Sequence, residues 1–280
     1  MEEEDKVIEI DLEQHLRIHM PAMFRLLADR NLKKAQWKKL NKRFIEEHNK
    51  RTALYKTNND YLQVEANFFD LITSTIRGKQ SAFRLIGYFD VLFKALDKNL
   101  LPDEKLMIRD TLYNALINLD HKFRNFIGEL AVLNSAVDKR RYSLVGIEKD
   151  FIAQKKTADF TLFDNTTKKK ELVEVVNIHL DDSRYLKETL TEKITNKVAD
   201  KSCNTSDHSP FTLVPVIWAP VSVLQDLEKL YKSGNGVVIS GVSEPCAYCN
   251  FTGPDNFPVY RFCSISTLFP QGEILVEWVD

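Results

Sequence analysis

The period of the hydrophobic pattern changes near residues 139–141, and this change constrains the fold more than any other feature of the sequence. Before it, apolar residues recur every three or four positions, as in Phe68, Leu71 and Ile72, and glycine and proline are rare. After it, short runs rich in β-branched and aromatic residues alternate with turn-forming residues. The pattern predicts an α+β chain in which an all-α helical part precedes a mixed sheet.

The helical part is predicted to form a domain of its own, residues 1–120, that serves recognition or assembly. Pro102 and the two acidic residues after it are typical of a helix start, because acidic side chains favour the positive N-terminal end of a helix. Apolar residues then continue at helical spacing, which predicts a single long helix to about Val137. A second domain, residues 121–280, is predicted to contain the sheet.

The second domain is predicted to run helix, three strands, helix, strand and helix, followed by further short strands. Turn-forming residues 164–167 lie between two of the strands and predict a hairpin. The first three strands pair antiparallel, whereas a helical crossover delivers the next strand in parallel, so the sheet is mixed. The predicted strands are 142–147, 158–163, 171–178, 211–219, 237–240, 259–265 and 274–278, and the later helices are 183–203 and 221–232.

Two acidic residues lie within these apolar strands. Asp159 stands near the start of the second strand, and Glu174 shares one face of the third strand with apolar neighbours. A carboxylate in such surroundings is costly unless it is paired, liganded or facing a cleft. Across a hairpin that turns near residue 166 the two carboxylates come close together, and a divalent cation relieves their repulsion. Mg²⁺, or Mn²⁺ in its place, is the predicted cofactor, because carboxylates, water and phosphate hold such an ion.

The order of elements and the two acids resemble the PD-(D/E)XK, or restriction-endonuclease-like, superfamily, whose core runs αβββαβ. Ala158-Asp159 stands where the family has Pro-Asp, and Glu174 stands where it has its second acid. The preceding helix carries Glu129, in the place of a glutamate that completes the metal site in many members. The resemblance covers about residues 123–219.

The resemblance implies a metal-dependent nuclease that hydrolyses phosphodiester bonds in DNA, in restriction or in defence against mobile DNA. Glu129, Asp159 and Glu174 would then hold one or two metal ions. A bound ion of this kind lowers the pKa of a coordinated water and stabilises the charge that develops on the phosphate.

Val176 departs from the family pattern, which has a lysine two residues after the second acid. Some members take this lysine from the following helix, and Lys193 and Lys197 lie one turn apart on one side of that helix. Lys187 is a weaker candidate, and residues 155 and 156 offer further lysines.

The same departure keeps two other hypotheses open. One is a catalytically degenerate nuclease-fold protein that binds nucleic acid or a protein partner without cutting. The other is a helical scaffold whose C-terminal domain serves assembly. Cutting by purified protein separates the nuclease from both of them.

Positive charge is concentrated near the N-terminus, although the net charge is only −1. Residues 21–56 hold eleven Lys or Arg against three Asp or Glu. Within them Lys34, Lys38 and Lys42 recur at successive helical turns, a pattern suited to the backbone phosphates of nucleic acid. An ordinary solvated face is one alternative, and a subunit contact, as in a homodimer, is the other.

The cysteine spacing and the hydropathy limit which metal sites and which cellular locations the sequence allows. Cys246 and Cys249 have the spacing of half a zinc knuckle, but Cys203 and Cys263 are single and far apart, so unliganded thiols are favoured over a structural Zn²⁺. No apolar run reaches the length of a membrane span, and the first five residues lack the basic start of a secretory signal. The expectation is a cytoplasmic protein with no membrane partner.

Overall fold

The structure is a computed structural model. It describes residues 10–58, 67–120, 122–138, 140–151, 156–182, 184, 186–202, 211–252 and 258–269. The helices are α1 (Leu12–His19), α2 (Pro21–Leu27), α3 (Lys34–Asn58), α4 (Phe68–Ile76), α5 (Gln80–Asn99), α6 (Pro102–Ile117), α7 (Phe123–Val137), α8 (Leu186–Ser202) and α9 (Val221–Lys232). The strands are β1 (Tyr142–Phe151), β2 (Lys156–Asp164), β3 (Lys169–His179), β4 (Phe211–Trp218), β5 (Cys246–Thr252) and β6 (Pro258–Ser264).

The fold is α+β, with most helices N-terminal to the sheet. The described strands form one mixed sheet whose spatial order is the chain order, β1 to β6. The first three strands pair antiparallel, and the predicted hairpin joins β2 to β3. Helix α8 then crosses over and delivers β4 parallel to β3, as the sequence predicts. Beyond β4, β5 is parallel to it and β6 returns antiparallel.

The two faces of the sheet pack against different helices. One face joins α1 to α7 in a single buried apolar cluster that includes Phe89, Phe123, Phe160, Val173 and Val216. The opposite face packs on α8 and α9, in a smaller cluster that includes Ile178, Leu190, Ile194, Leu213 and Leu224. The predicted boundary between residues 120 and 121 lies between α6 and α7, and the larger cluster continues across it. No helix within the described ranges is long and apolar enough to cross a membrane.

The single long helix predicted after Pro102 is wrong, because the chain forms two helices there. Helix α6 ends at Ile117, and α7 begins five residues after Asn118. The Asn118 side chain accepts the backbone N–H of Asp120, and the Asp120 carboxylate accepts the N–H of Lys122. Short polar side chains that bind nearby backbone groups compete with helical hydrogen bonds, and here they end the helix.

The strand predicted at residues 237–240 is also wrong. Only Val242, just beyond it, makes an isolated parallel bridge, to Leu213. Gly241 between them adopts a φ of 76°, which interrupts an extended run. The strand that follows in the structure is β5, which the sequence did not predict, whereas the strand predicted at 259–265 is confirmed as β6. The strand predicted at 274–278 lies outside the described residues.

Glu104 ties the helical part to the sheet. Its side chain is buried, and one carboxylate oxygen accepts the N–H of Leu101 at 2.7 Å, ahead of α6. The other oxygen accepts the N–H of Leu144 in β1 at 2.9 Å, and Arg140 lies 3.8 Å from the carboxylate. One acidic side chain therefore satisfies two backbone donors that belong to different elements.

We expect Glu104→Ala to lower the free energy of unfolding by about 3 kcal/mol, because it leaves the buried N–H of Leu144 and the partly buried N–H of Leu101 without their charged acceptor. Urea denaturation measures the change. Asp103→Ala is the matched control, since Asp103 is exposed in the same helical turn. Its loss removes only a favourable charge at the helix start and should cost less than about 1 kcal/mol. Equal losses in the two variants would contradict the tie between α6 and β1.

Candidate metal site at the separation of two strands

Strands β2 and β3 pair over only part of their length. Their ladder runs from the turn up to the pair Phe160–Val173. Beyond it, β2 stays paired with β1 back to Lys156, while β3 continues to His179 beside β4. The two strands therefore separate at the next pair of positions in register, which are Asp159 and Glu174.

Asp159 lies at this separation and its side chain is half-buried. Its Oδ2 accepts the backbone N–H of Val175 at 2.6 Å, in place of the strand carbonyl that a continued ladder would supply. The Asp159 carboxylate thus lies beside the backbone of the residue that follows Glu174. The sequence predicted that these two acids come close together; the register makes Asp159 and Glu174 the next facing positions after the ladder ends, and the approach of their carboxylates stays a prediction.

Glu174 is buried, with 3% of its surface exposed. Residues 173 and 175 belong to the cluster on the side of α7, so the strand alternation turns Glu174 to the side of α8. On that side its Oε1 lies 3.6 Å from the Nζ of Lys197, whose side chain is about one-third exposed. A buried carboxylate is costly without a partner, and Lys197 provides one.

The other candidate lysines take different positions. Lys193, one turn before Lys197, is exposed and donates a hydrogen bond to the backbone oxygen of His179 at 3.1 Å. Lys187 is exposed near the start of α8. Lys155 lies outside the described residues. The structure therefore brings Lys197 to Glu174 and places Lys193 at the end of β3.

Val176 lies on the same side of β3 as Glu174 and packs against the apolar cluster of α8 and α9. An amine at this position would have to lie among apolar side chains. Lys197 reaches the carboxylate from the helix instead, with its stem along the protein and its amine near the surface. Lys197 is one of the two lysines, with Lys193, that the sequence offered for a displaced lysine.

Glu129 does not join this pair. Its neighbour Gly128 packs against the side chain of Asn177, whose amide donates to the backbone oxygen of Asn125 in α7. Helix α7 thus lies on the Asn177 side of β3, whereas the Glu174 carboxylate is on the α8 side. Across the part of the chain that the structure describes, no three His, Cys, Asp or Glu side chains form a group that could hold a metal ion.

Asp159 and Glu174, without Glu129, can still hold one Mg²⁺ or Mn²⁺. Such ions bind through one or two carboxylates together with water and substrate phosphate, so a third protein carboxylate is not required. With Lys197 the cluster carries two negative charges and one positive charge. We refer to Asp159, Glu174 and Lys197 as the carboxylate cluster.

Helix α3 carries several exposed cations. Lys34, Lys38 and Lys42 are all exposed, and Lys42 makes a long 3.9 Å pairing with Glu46. The opposite side of the helix is apolar and packs in the core. Lys33, Lys39 and Arg43 are exposed as well, although the sequence analysis did not select them. Lys34, Lys38 and Lys42 follow one side of the helix, and we refer to these three lysines as the basic face of α3.

Cys246 and Cys249 do not point to one zinc ion. They are three residues apart in β5, and the strand alternation directs them to opposite sides of the sheet. Burial raises the pKa of each thiol to about 12, so both keep their protons at neutral pH, and a protonated thiol is a poor zinc ligand. Cys263 in β6 is a free thiol too. Cys203 lies outside the described residues.

Comparison of the chain with protein-family models, with curated proteins and with solved structures gave no match. The function proposed for the carboxylate cluster therefore depends on the chemistry of its residues.

We expect the thiol of Cys249 to make the protein less stable at alkaline pH. Folding raises its pKa from 9.0 to about 12, first through burial and then through the nearby Cys263 thiol, so folding favours the protonated form. Its stabilising contribution is complete below pH 9 and is lost as the pH rises from 9 toward 12. Urea denaturation at pH 8 and pH 10 should show a smaller loss of stability in Cys249→Ala than in the wild type. An unchanged loss would contradict this assignment.

Proposed function

We propose that this chain is a metal-dependent nuclease that hydrolyses phosphodiester bonds in DNA at the carboxylate cluster. The observation that carries the proposal is the approach of the Lys197 amine to Glu174, 3.6 Å away, beside the Asp159 carboxylate at the separation of β2 and β3. Two acids and an amine are the groups that the restriction-endonuclease-like family uses for phosphate hydrolysis with a divalent ion, and the acids suit the metal that such chemistry needs.

The arrangement of elements supports a restriction-endonuclease-like core. Helix α7, strands β1 to β3, helix α8 and strand β4 follow the αβββαβ order. The first three strands are antiparallel and β4 is parallel to β3. Both acids are on the strands where that family carries them, and the lysine comes from the helix that follows.

Each residue of the cluster has a distinct role in the proposed reaction. Asp159 and Glu174 bind the ion, which when bound supplies an activated water and positive charge next to the phosphate. Lys197 orients the attacking water and steadies a phosphate oxygen with its remaining N–H groups. Because Glu174 is almost fully buried, substrate must approach from the side of Asp159 and Lys197, which are the more exposed members.

The basic face of α3 supports DNA as the substrate. Its three exposed lysines recur at successive helical turns and attract phosphates without reading base sequence, and Lys33, Lys39 and Arg43 add positive charge nearby. Binding on this face would then be separate from cutting at the carboxylate cluster. The second candidate function, binding without cutting, is favoured by the hydrogen bond that commits an Asp159 oxygen to Val175.

We expect Lys197→Met to reduce cutting of DNA by about 100-fold or more in Mg²⁺ or Mn²⁺, because the variant keeps the side-chain length and loses the amine. Plasmid and single-stranded substrates are both tested. Lys193→Met is the matched control on the same helix and should cut within about threefold of the wild type. Circular dichroism checks that the variants fold, since Lys197→Met removes an ion pair of the buried Glu174.

Three results decide the proposal. Cutting that survives Asp159→Ala would remove the carboxylate cluster as the site. Equal loss in the two lysine variants would remove Lys197 from its role. Wild-type protein that binds DNA and cuts under none of these conditions would establish the non-cutting alternative.

We expect the triple variant of Lys34, Lys38 and Lys42 to alanine to weaken DNA binding uniformly across sequences. The slope of log affinity against log salt should fall in magnitude by about 0.9 for each phosphate contact that is lost. Fluorescence anisotropy with a short duplex at several KCl concentrations measures both quantities. The control replaces Lys94, Lys229 and Lys232, which are surface lysines that pair with acidic neighbours. Equal effects of the two triple variants would show that charge alone, and no particular surface, binds DNA.

A further inference from the structure

Thr161 carries a buried hydroxyl group on the side of the sheet that holds the carboxylate cluster. Only 5% of its surface is exposed. Its Oγ1 is fully enclosed, and within the described ranges no donor or acceptor is in hydrogen-bond contact with it. The residues on either side of it, Phe160 and Leu162, belong to the cluster that packs on α7, so the alternation of β2 turns Thr161 to the side of α8.

The strand register places this hydroxyl next to both acids. Asp159 precedes Thr161 by two residues on the same strand and the same face. Thr161 is paired with Leu172, and Glu174 is two residues further along β3, so Glu174 is its diagonal neighbour. Same-face neighbours of these kinds have backbones about 7 Å apart, a gap that side chains and one small hydrated ion fill.

An enclosed hydroxyl without a hydrogen bond is unfavourable for folding. Valine has nearly the same shape as threonine and suits a strand at least as well, so packing alone does not require the hydroxyl. Within the described residues no group of the polypeptide binds Oγ1, so this hydroxyl is available to a ligand. Such a ligand must accept or donate a hydrogen bond, or coordinate oxygen, beside two carboxylates and one amine.

We propose that the Thr161 hydroxyl is the third oxygen of the divalent-cation site, and that it binds the ion directly or through one coordinated water. The inference rests on the proposed function, because it assigns Asp159 and Glu174 as the other ligands. Two carboxylates and one lysine leave the cluster with a net negative charge, which attracts a divalent cation. A neutral third oxygen completes the ligand set without further repulsion between acids.

Thr161→Val should raise the stability of the metal-free protein and lower its affinity for the metal ion. Without metal, the variant should be more stable than the wild type, with a melting temperature higher by about 2–4 °C, because an unsatisfied hydroxyl is removed. Its affinity for Mn²⁺, measured by the electron paramagnetic resonance signal of free Mn²⁺, should fall about tenfold or more. Thr161→Ser keeps a hydroxyl and should retain affinity close to that of the wild type.

Thr212→Val is the matched control in the same sheet. Its hydroxyl donates to Glu171 at 2.5 Å, so this variant should lose stability without losing Mn²⁺ affinity. Asp159→Asn distinguishes failure of the metal site from failure of the role proposed for Thr161. If the wild type binds Mn²⁺ and Asp159→Asn does not, unchanged affinity in Thr161→Val overturns only the role of Thr161. If the wild type itself binds no Mn²⁺, the metal site fails and this inference fails with it.

Discussion

The division of the sheet into two packed faces is the constraint on which the proposed site depends. One face joins the helices α1 to α7 in the larger apolar cluster, and the other packs on α8 and α9. Because strand residues alternate, every side chain of β2 and β3 is assigned to one cluster or the other. Asp159, Thr161 and Glu174 fall on the α8 side, where Lys197 is within reach. Glu129 falls on the helix that packs against the opposite face.

Lys197 also shows how one residue can serve stability and chemistry together. Removing one partner of a buried ion pair typically destabilises a protein by about 3–5 kcal/mol. The alternation of β3 places Val176 in the apolar cluster, so an amine at that position would be buried too. A helix lysine neutralises Glu174 from the edge of that cluster and keeps part of its side chain in solvent.

The sequence predicted the parts of the fold that follow from local periodicity. Strand alternation and the turn at residues 164–167 predicted the hairpin and the facing positions of Asp159 and Glu174. The i, i+4 spacing placed Lys193 and Lys197 on one side of a helix, but choosing between them requires the position of that helix along β3, which is a tertiary property. Glu129 was selected because many members of the family carry a glutamate on the helix before the first strand. The order of elements along the chain does not determine which face of the sheet that helix covers. Strand β5 was not predicted because Cys246 and Cys249 were assessed as candidate metal ligands from their spacing, and the alternation of side chains along that segment was not considered.

The fold alone does not require the buried polar groups of the carboxylate cluster and Thr161. Replacing a buried ion pair with apolar residues of similar volume is often neutral or stabilising, and the same holds for an enclosed hydroxyl without a partner. The chain nevertheless places Glu174 and Thr161 on a sheet face whose other members are largely apolar, with Lys197 of α8 at 3.6 Å from Glu174. Asp159 alone has a sufficient structural explanation in its bond to Val175. The coincidence of the other three with the point where β2 and β3 separate is what favours a bound cation over a degenerate core.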